Sequence, residues 1–212
     1  MRFPMRICEI FKSIQGEGLT MGVPTVFVRT VGCNLDCSWC DTKYSFTGGT
    51  EMSIPEIVDK VGSCRTVCVT GGEPMIQKDI YQLLEALIRA DKFIVLETNG
   101  AVDLKDVPDD PHIMISMDIK CPSSGMSDRM IDSNIGILKK NDQLKFVIKD
   151  QEDFDFAVRY LQDHPADTNV IFGPVGGTDK LEWLVDEVLK NDVDARVLPQ
   201  LHKIIWGDKR GV

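Results

Sequence analysis

Thr25-Val26-Phe27-Val28-Arg29-Thr30-Val31-Gly32-Cys33-Asn34-Leu35-Asp36-Cys37-Ser38-Trp39-Cys40 joins a β-branched strand to a loop with three cysteines. The run Thr25–Val31 has strand composition, and the glycine that follows ends it. The loop then supplies three thiols in the spacing C-x3-C-x2-C. A cubane iron–sulfur cluster has four irons and is usually held by four cysteines. A three-thiol loop would leave one iron open, as catalytic metal sites keep a position free. Structural zinc is the rival reading. Zinc asks for four ligands in a closed tetrahedron, commonly two C-x2-C pairs. No second C-x2-C is present, since Cys8, Cys64, Cys68 and Cys121 stand alone or four apart, and none of the three histidines lies near the loop. Those four cysteines read as small apolar packing residues.

Further β-branched runs recur at Thr66–Thr70, Phe93–Glu97, Ile113–Asp118, Leu144–Ile148, Asn169–Phe172 and Ala195–Leu198. Between several of them lie segments with apolar residues at three- and four-residue spacing. Ile80, Leu83, Leu84, Leu87 and Ile88 form one helical face; Leu181, Leu184, Val185, Val188 and Leu189 form another. Ser53-Ile54-Pro55-Glu56 has the pattern of a capping box, and Asp153–Leu161 is a further helical candidate. Alternation of strand and helix implies parallel strands joined by crossover helices. About six such units are too few to close an eight-stranded barrel, so an open, partial β/α barrel is expected, with a doubly wound sheet as the alternative. Residues 101–111, rich in Asp and Pro, read as a surface loop.

The chain has 212 residues, 43% of them hydrophobic and 27% charged, enough for one domain over residues 1–212 with its own core. No stretch reaches the roughly 18 apolar residues of a membrane span, and residues 1–13 lack a leader's apolar core, so a cytoplasmic protein is expected. Seven cysteines, an odd number, fit reduced thiols or metal ligation better than a disulfide framework. The net charge of −9 argues against a nucleic-acid surface and for a small-molecule substrate.

In open α/β sheets and barrels, ligands bind at the C-terminal strand ends. Four suggestive segments fall there: the cysteine loop, Thr70-Gly71-Gly72-Glu73-Pro74, Glu97-Thr98-Asn99-Gly100 and Asp118-Ile119-Lys120. A Gly-Gly pair after a strand lets backbone approach a ligand without Cβ obstruction, although it also suits a simple turn.

The three-cysteine loop with Gly71-Gly72-Glu73-Pro74 one strand later resembles the radical S-adenosylmethionine (SAM) superfamily. Gln15-Gly16-Glu17-Gly18, Phe27-Val28-Arg29-Thr30 and Cys40-Asp41-Thr42 narrow the likeness to a small family of the 7-deazapurine pathway, which supplies queuosine and archaeosine in tRNA. The likeness runs from Glu9 to Gly207; residues 123–143 match nothing in it. It implies the radical SAM type of partial barrel and a lyase activity: ring contraction of 6-carboxy-5,6,7,8-tetrahydropterin with loss of ammonia, SAM being regenerated.

Carried over residue by residue, the resemblance makes Cys33, Cys37 and Cys40 the ligands of a [4Fe-4S] cluster. It places Trp39, Cys40, Asp41, Gly72, Asp118, Ile119, Lys120, Phe172, Gly173, Pro174 and Val175 around SAM. Family members often read Ser-Pro-Lys where this chain has Asp118-Ile119-Lys120, so no serine hydroxyl acts there. Thr42 matches a Mg²⁺-ligating position. Ile14, Gln15, Gly16, Glu17, Arg29, Thr70, Gln200, His202 and Val212 are the expected substrate contacts, Arg29 as a bidentate partner for a carboxylate. A homodimer and an electron donor such as flavodoxin or ferredoxin complete what the resemblance implies.

Overall fold

The computed structural model describes residues 4–212, so the first three residues of the segment read as leaderless lie outside it. One nine-stranded sheet runs through the molecule. Its strands are β1 (Met5–Ile14), β2 (Pro24–Thr30), β3 (Thr50–Met52), β4 (Thr66–Gly71), β5 (Phe93–Thr98), β6 (Ile113–Ile119), β7 (Gln143–Ile148), β8 (Asn169–Pro174) and β9 (Arg196–Val197). The spatial order is β3-β1-β2-β4-β5-β6-β7-β8-β9. From β2 onward every neighbouring pair is parallel, while β1 pairs antiparallel with both β2 and β3. The ends β3 and β9 do not meet, so this is the open partial barrel expected, with the β1 and β3 strands added before its first parallel strand.

The helices are α1 (Ile54–Val61), α2 (Ile80–Arg89), α3 (Gln151–Asp163), α4 (Leu181–Lys190) and α5 (Leu201–Trp206). At the start of α1 the Ser53 N–H donates to Glu56 Oε2 at 2.7 Å and the Glu56 N–H returns to the Ser53 hydroxyl, the box read from sequence. Asp150 caps α3 by accepting from the Asp153 N–H, which starts that helix two residues before the expected point. Helix α2 buries Ile80, Leu83, Leu84 and Leu87 as its spacing predicts. Helix α4 buries only Leu184 and Val188, and Leu189 is 71% exposed. It covers the last, shortest strand, where little sheet remains to receive a wider stripe.

Two expectations need correction. Between β6 and β7 the crossover contains no α-helix; three short 3₁₀ turns at Pro122–Ser124, Ser127–Arg129 and Asp132–Ile137 carry the chain over the sheet. Residues 101–111 are not wholly superficial: Leu104 is fully buried, and its N–H donates to Asn134 Oδ1 at 3.0 Å.

Strand parity explains where the core ends and the site begins. Outward-facing residues such as Val67, Val69, Ile94, Leu96, Phe146 and Phe172 join the helices in one large core. Inward, Cys68, Val95 and Met114 pack with Phe27, Phe93 and Leu19 into a small apolar plug, on which Phe11 stacks at 5.0 Å from Phe27. Two residues further along the same strands, on the same inner face, stand Arg29, Thr70, Glu97 and Ser116. The barrel is thus greasy at its base and polar at the C-terminal mouth.

Candidate active site

A cavity of about 470 Å³ opens at that mouth. Cys33, Cys37 and Cys40 all line it, and the loop that carries them is pinned along its length. The Gly32 N–H donates to the Ser45 carbonyl at 2.9 Å, Asn34 Nδ2 to the Ala101 carbonyl at 3.2 Å and the Ser38 N–H to the Ser124 carbonyl at 3.0 Å. The Cys33 sulfur accepts from the Leu35 N–H at 3.4 Å and from Asn99 Nδ2 at 3.7 Å. Burial pushes the Cys33 and Cys37 thiols up, so they become thiolates on metal ligation rather than by themselves. Among the described residues, no three His, Cys, Asp or Glu gather closely enough to hold a single ion. A cluster takes each thiolate on a different iron, so three thiols spread over one wall suit it better than they suit zinc.

Gly72 faces this loop, and Gly71 the end of β2, at distances that admit no side chain. A Cβ on Gly72 would sit 2.2 Å from the Gly32 carbonyl oxygen and 2.8 Å from Cys33 Cβ; one on Gly71 would sit 2.3 Å from Thr30 Oγ1. The Glu73 N–H donates to the Gly32 carbonyl at 2.8 Å, which locks strand end to cysteine loop. Beneath, the buried Glu73 carboxylate accepts from the Met75 N–H, the Thr98 hydroxyl and the Asn99 N–H at 2.7–2.9 Å. Burial nonetheless pushes its pKa up to about 7.

On one wall, Trp39 donates its indole N–H to Ser123 Oγ at 3.2 Å, and Lys120 Nζ lies 5.6 Å from the indole ring and 2.7 Å from Asp118 Oδ2. Asp41 accepts from the Thr42 hydroxyl at 2.7 Å and from Lys203 at 3.1 Å. Burial opposes its ionisation, but those two contacts outweigh it and hold the carboxyl below the usual range. Pro174 and Val175 also line the cavity. Ile119 and Phe172 do not: both side chains are buried in the core, on the outward parity of their strands, and Gly173 is likewise outside the lining. Only backbone atoms of these three could face a ligand.

Across the cavity stand Ile14, Gln15, Gly16, Glu17, Arg29, Thr70, Gln200, His202 and Val212, so the structure brings the whole expected substrate set together. Gln15 is 4% exposed; its Oε1 accepts from the Gly16 N–H, while Nε2 has no oxygen or nitrogen acceptor, only the Cys68 thiol beside it. Helix α5 closes over the loop: the Leu201 N–H donates to the Gly16 carbonyl at 2.9 Å, and a Cβ on Gly16 would lie 2.1 Å from His202 Nδ1. Arg29 is not a surface ion pair. Its Nε meets Glu9 Oε1 at 2.7 Å inside the cavity wall, and Tyr44 donates to the same oxygen at 2.9 Å. The Arg210 guanidinium lies over the Tyr44 ring at 3.4 Å.

Sequence reasoning passed over Lys145, and it placed Glu73, Glu97 and Asn99 at ligand-facing strand ends without giving them a role. Lys145 had a signal: a lysine in the middle of Leu144-Lys145-Phe146-Val147-Ile148, an apolar parallel strand, has to find counter-charges inside. Glu97 lies two residues beyond Val95 of the apolar plug and so had to point into the mouth.

A partial β/α barrel whose first parallel strand delivers three thiols to a glycine cradle is the architecture of a radical SAM enzyme, and the profile of the radical SAM superfamily matches residues 27–120. Within that superfamily the chain belongs to the 7-carboxy-7-deazaguanine synthase family. It is 41% identical over 210 residues to the 7-carboxy-7-deazaguanine synthase of Thermoplasma acidophilum, covering 98% of this chain and 100% of the relative. To that of Methanospirillum hungatei it is 44% identical over 207 residues, covering 95% and 85%. The crystal structure of QueE from Escherichia coli has the same fold, with a TM-score of 0.74 over 93% of each chain at 22% identity.

Proposed function

We propose that this cavity converts 6-carboxy-5,6,7,8-tetrahydropterin to 7-carboxy-7-deazaguanine and ammonia, as a carbon–nitrogen lyase of the radical SAM type. The observation that carries the reading is a single cavity lined by the three thiols, the glycine cradle and the Gln15, Glu17 and Arg29 set. Cys33, Cys37 and Cys40 would hold a [4Fe-4S] cluster, which with bound SAM would supply the one-electron chemistry needed to break a C–H bond of the pterin. Product plus ammonia has the composition of the substrate, so the reaction needs no net oxidant and SAM acts as a cofactor.

The protein binds, orients and excludes water. Gly72, Trp39, Asp41, the Asp118–Lys120 segment and the Gly173–Val175 backbone enclose SAM. Gln15 Nε2, buried and without an oxygen acceptor, donates to a ring carbonyl. The Glu17 carboxylate accepts from the amino and N–H edge of the pterin. Arg29, held by Glu9 through Nε, turns its two terminal nitrogens to the substrate carboxylate. Thr70, Ile14, Gly16, Gln200, His202 and Val212 complete the wall. Thr42 would give its hydroxyl oxygen to Mg²⁺, a hard cation that takes oxygen ligands. The reading includes a small redox protein as electron donor, a homodimer, one domain over residues 1–212 and a cytoplasmic setting. Among the described residues no helix is long and apolar enough to cross a membrane.

The test is anaerobic incubation of the reconstituted, reduced protein with SAM, Mg²⁺ and the pterin, with products read by mass spectrometry. Formation of 7-carboxy-7-deazaguanine that is lost in Cys33→Ala supports the reading. Cleavage of SAM with the pterin left intact would sink the substrate assignment.

A further inference from the structure

The Lys145 ammonium stands on the inner face of β7 with its side chain only 8% exposed. It lies 2.8 Å from Glu97 Oε2, 3.0 Å from Glu17 Oε2 and 3.5 Å from Asp118 Oδ1. The three carboxylates come from three segments: β5, the loop after β1, and β6. A buried ammonium is tolerated only when paired, and here three anions share the task. Asp118 Oδ1 is buried and receives no hydrogen bond, so Lys145 is the charge that faces it, while Lys120 holds the other oxygen at 2.7 Å.

Glu17 sits between two glycines, and Gly18 has a φ of +70°. Such a backbone does little to aim a side chain. The carboxylate is aimed instead by one donor on each oxygen: Lys145 on Oε2, and Gln200 Nε2 on Oε1 at 2.6 Å. A carboxylate oxygen accepts more than one hydrogen bond, so both oxygens keep a lone pair for a ligand.

We propose that Lys145 is a positioning residue: it presents Glu17, correctly turned, to a flat donor edge in the cavity, and ties it to Asp118 on the neighbouring strand β6. The inference rests on the pterin reading above and adds to it a residue of the cavity lining that acts through Glu17.

The charged and titratable groups around this pair are Lys145 from β7, Glu97 from β5, Asp118 from β6 with Lys120 just after it, and His202 from α5, with Gln200 before that helix. The Cys68 thiol on β4 lies near Glu97 and, on its other side, near Arg29 of β2. Burial opposes ionisation of Glu17, but Lys145 and the Gln200 hydrogen bond outweigh it and hold the pKa at about 2. Without Lys145 the carboxylate would share its pocket with Glu97 and Asp118 and keep its proton to higher pH.

The experiment compares the reconstituted parent with Lys145→Met, Lys145→Arg and the double variant Lys145→Met/Glu97→Gln, which removes one of the carboxylates left bare and keeps a foldable control. For the pterin, Lys145→Met should raise KM about thirtyfold or more at neutral pH, the fold-change that corresponds to breaking a buried charge pair. Its kcat/KM should climb with pH where the parent's is flat, and Lys145→Arg should restore part of the flatness. The double variant should melt near the parent and keep the slope. Infrared spectra of protein carrying ¹³C-labelled glutamate, with Glu17→Gln assigning the band, read Glu17 ionisation without turnover. The band should show a neutral carboxyl at mildly acidic pH in Lys145→Met and a carboxylate in the parent. An identical Glu17 band in both, or an unchanged KM with a flat profile, would overturn the proposal. A shifted band in a protein whose parent leaves the pterin intact would sink the substrate reading and leave Lys145 as the group that positions Glu17.

Discussion

Glu9 and Arg29 are direct partners across the antiparallel β1–β2 pair, and the carboxylate takes the guanidinium by its Nε at 2.7 Å. The register that brings them together exists because β1 carries a bulge: Ile7 pairs with Thr30 and Glu9 with Arg29, so Cys8 is the extra residue. The Tyr44 hydroxyl fixes the same Glu9 oxygen. Arg29 is therefore held rigid on one side, with its terminal nitrogens left for a ligand. Glu9→Gln should raise KM for the pterin about tenfold while moving kcat much less, since it loosens a binding group and leaves the radical-forming parts intact. Steady-state kinetics at saturating SAM check this, and an unchanged KM would remove Glu9 from the site.

Gly72 has no room for a methyl group, because its Cβ would meet the Gly32 carbonyl oxygen at 2.2 Å and Cys33 Cβ at 2.8 Å. Both are rigid atoms at the root of the cysteine loop. Gly72→Ala should displace that loop and lower iron and sulfide content per chain after reconstitution, with Gly136→Ala, whose Cβ meets nothing within 4 Å and whose φ, like that of Gly72, is not positive, as the control for an added methyl group alone. Full iron content in Gly72→Ala would show that the loop can shift without cost.

Asp153, fully buried at the start of α3, accepts from the Ser123 N–H at 2.9 Å, the Ser123 hydroxyl at 2.5 Å and the Lys149 N–H at 2.9 Å. Ser123 in turn holds the Trp39 indole and, through its carbonyl, the Ser38 hydroxyl of the cysteine loop. Asp153→Ala leaves several buried donors without an acceptor and should cost about 2–4 kcal/mol in a urea titration. The Trp39 environment should loosen with it, read as a shift in tryptophan fluorescence that Ser123→Ala shares. A variant with parental stability and emission would disprove this chain of contacts.

Glu73 gives a pH dependence whose sign is set by burial. Its ordinary pKa is near that of a free glutamate, 4.5, and burial lifts it to about 7 in the folded chain. Between those values the native state holds a proton that the unfolded state has lost, so its share of stability falls as pH rises through the window. Urea midpoints of the parent at mildly acidic and neutral pH should differ by more than those of Glu73→Gln. Parallel pH slopes would show that the three hydrogen bonds to the carboxylate outweigh its burial.

What could be read from the chain alone was local. The three-cysteine spacing, the Gly71-Gly72 pair, the capping box at Ser53 and the apolar face of α2 each lie within a dozen residues, where sequence distance and spatial distance agree. Strand β1 escaped that reading. Ile7, Ile10, Phe11 and Ile14 show no alternation of period two, because the bulge at Cys8 resets the parity partway along. The 3₁₀ turns between β6 and β7 escaped it too, since irregular turns carry no apolar period.

By itself the sequence determined an α/β chain with parallel strands, a three-thiol loop after the first of them, and the resemblance that led to the family. Tertiary structure decided which charges share a space. Lys145 meets Glu17, Glu97 and Asp118 at separations of 128, 48 and, by register, one strand to the side, where Asp118 and Lys145 are direct β-sheet partners. No periodicity announces such a contact, because sheet order and register are set by how all the strands close together. The energy of a buried charge depends on whatever that closure puts beside it.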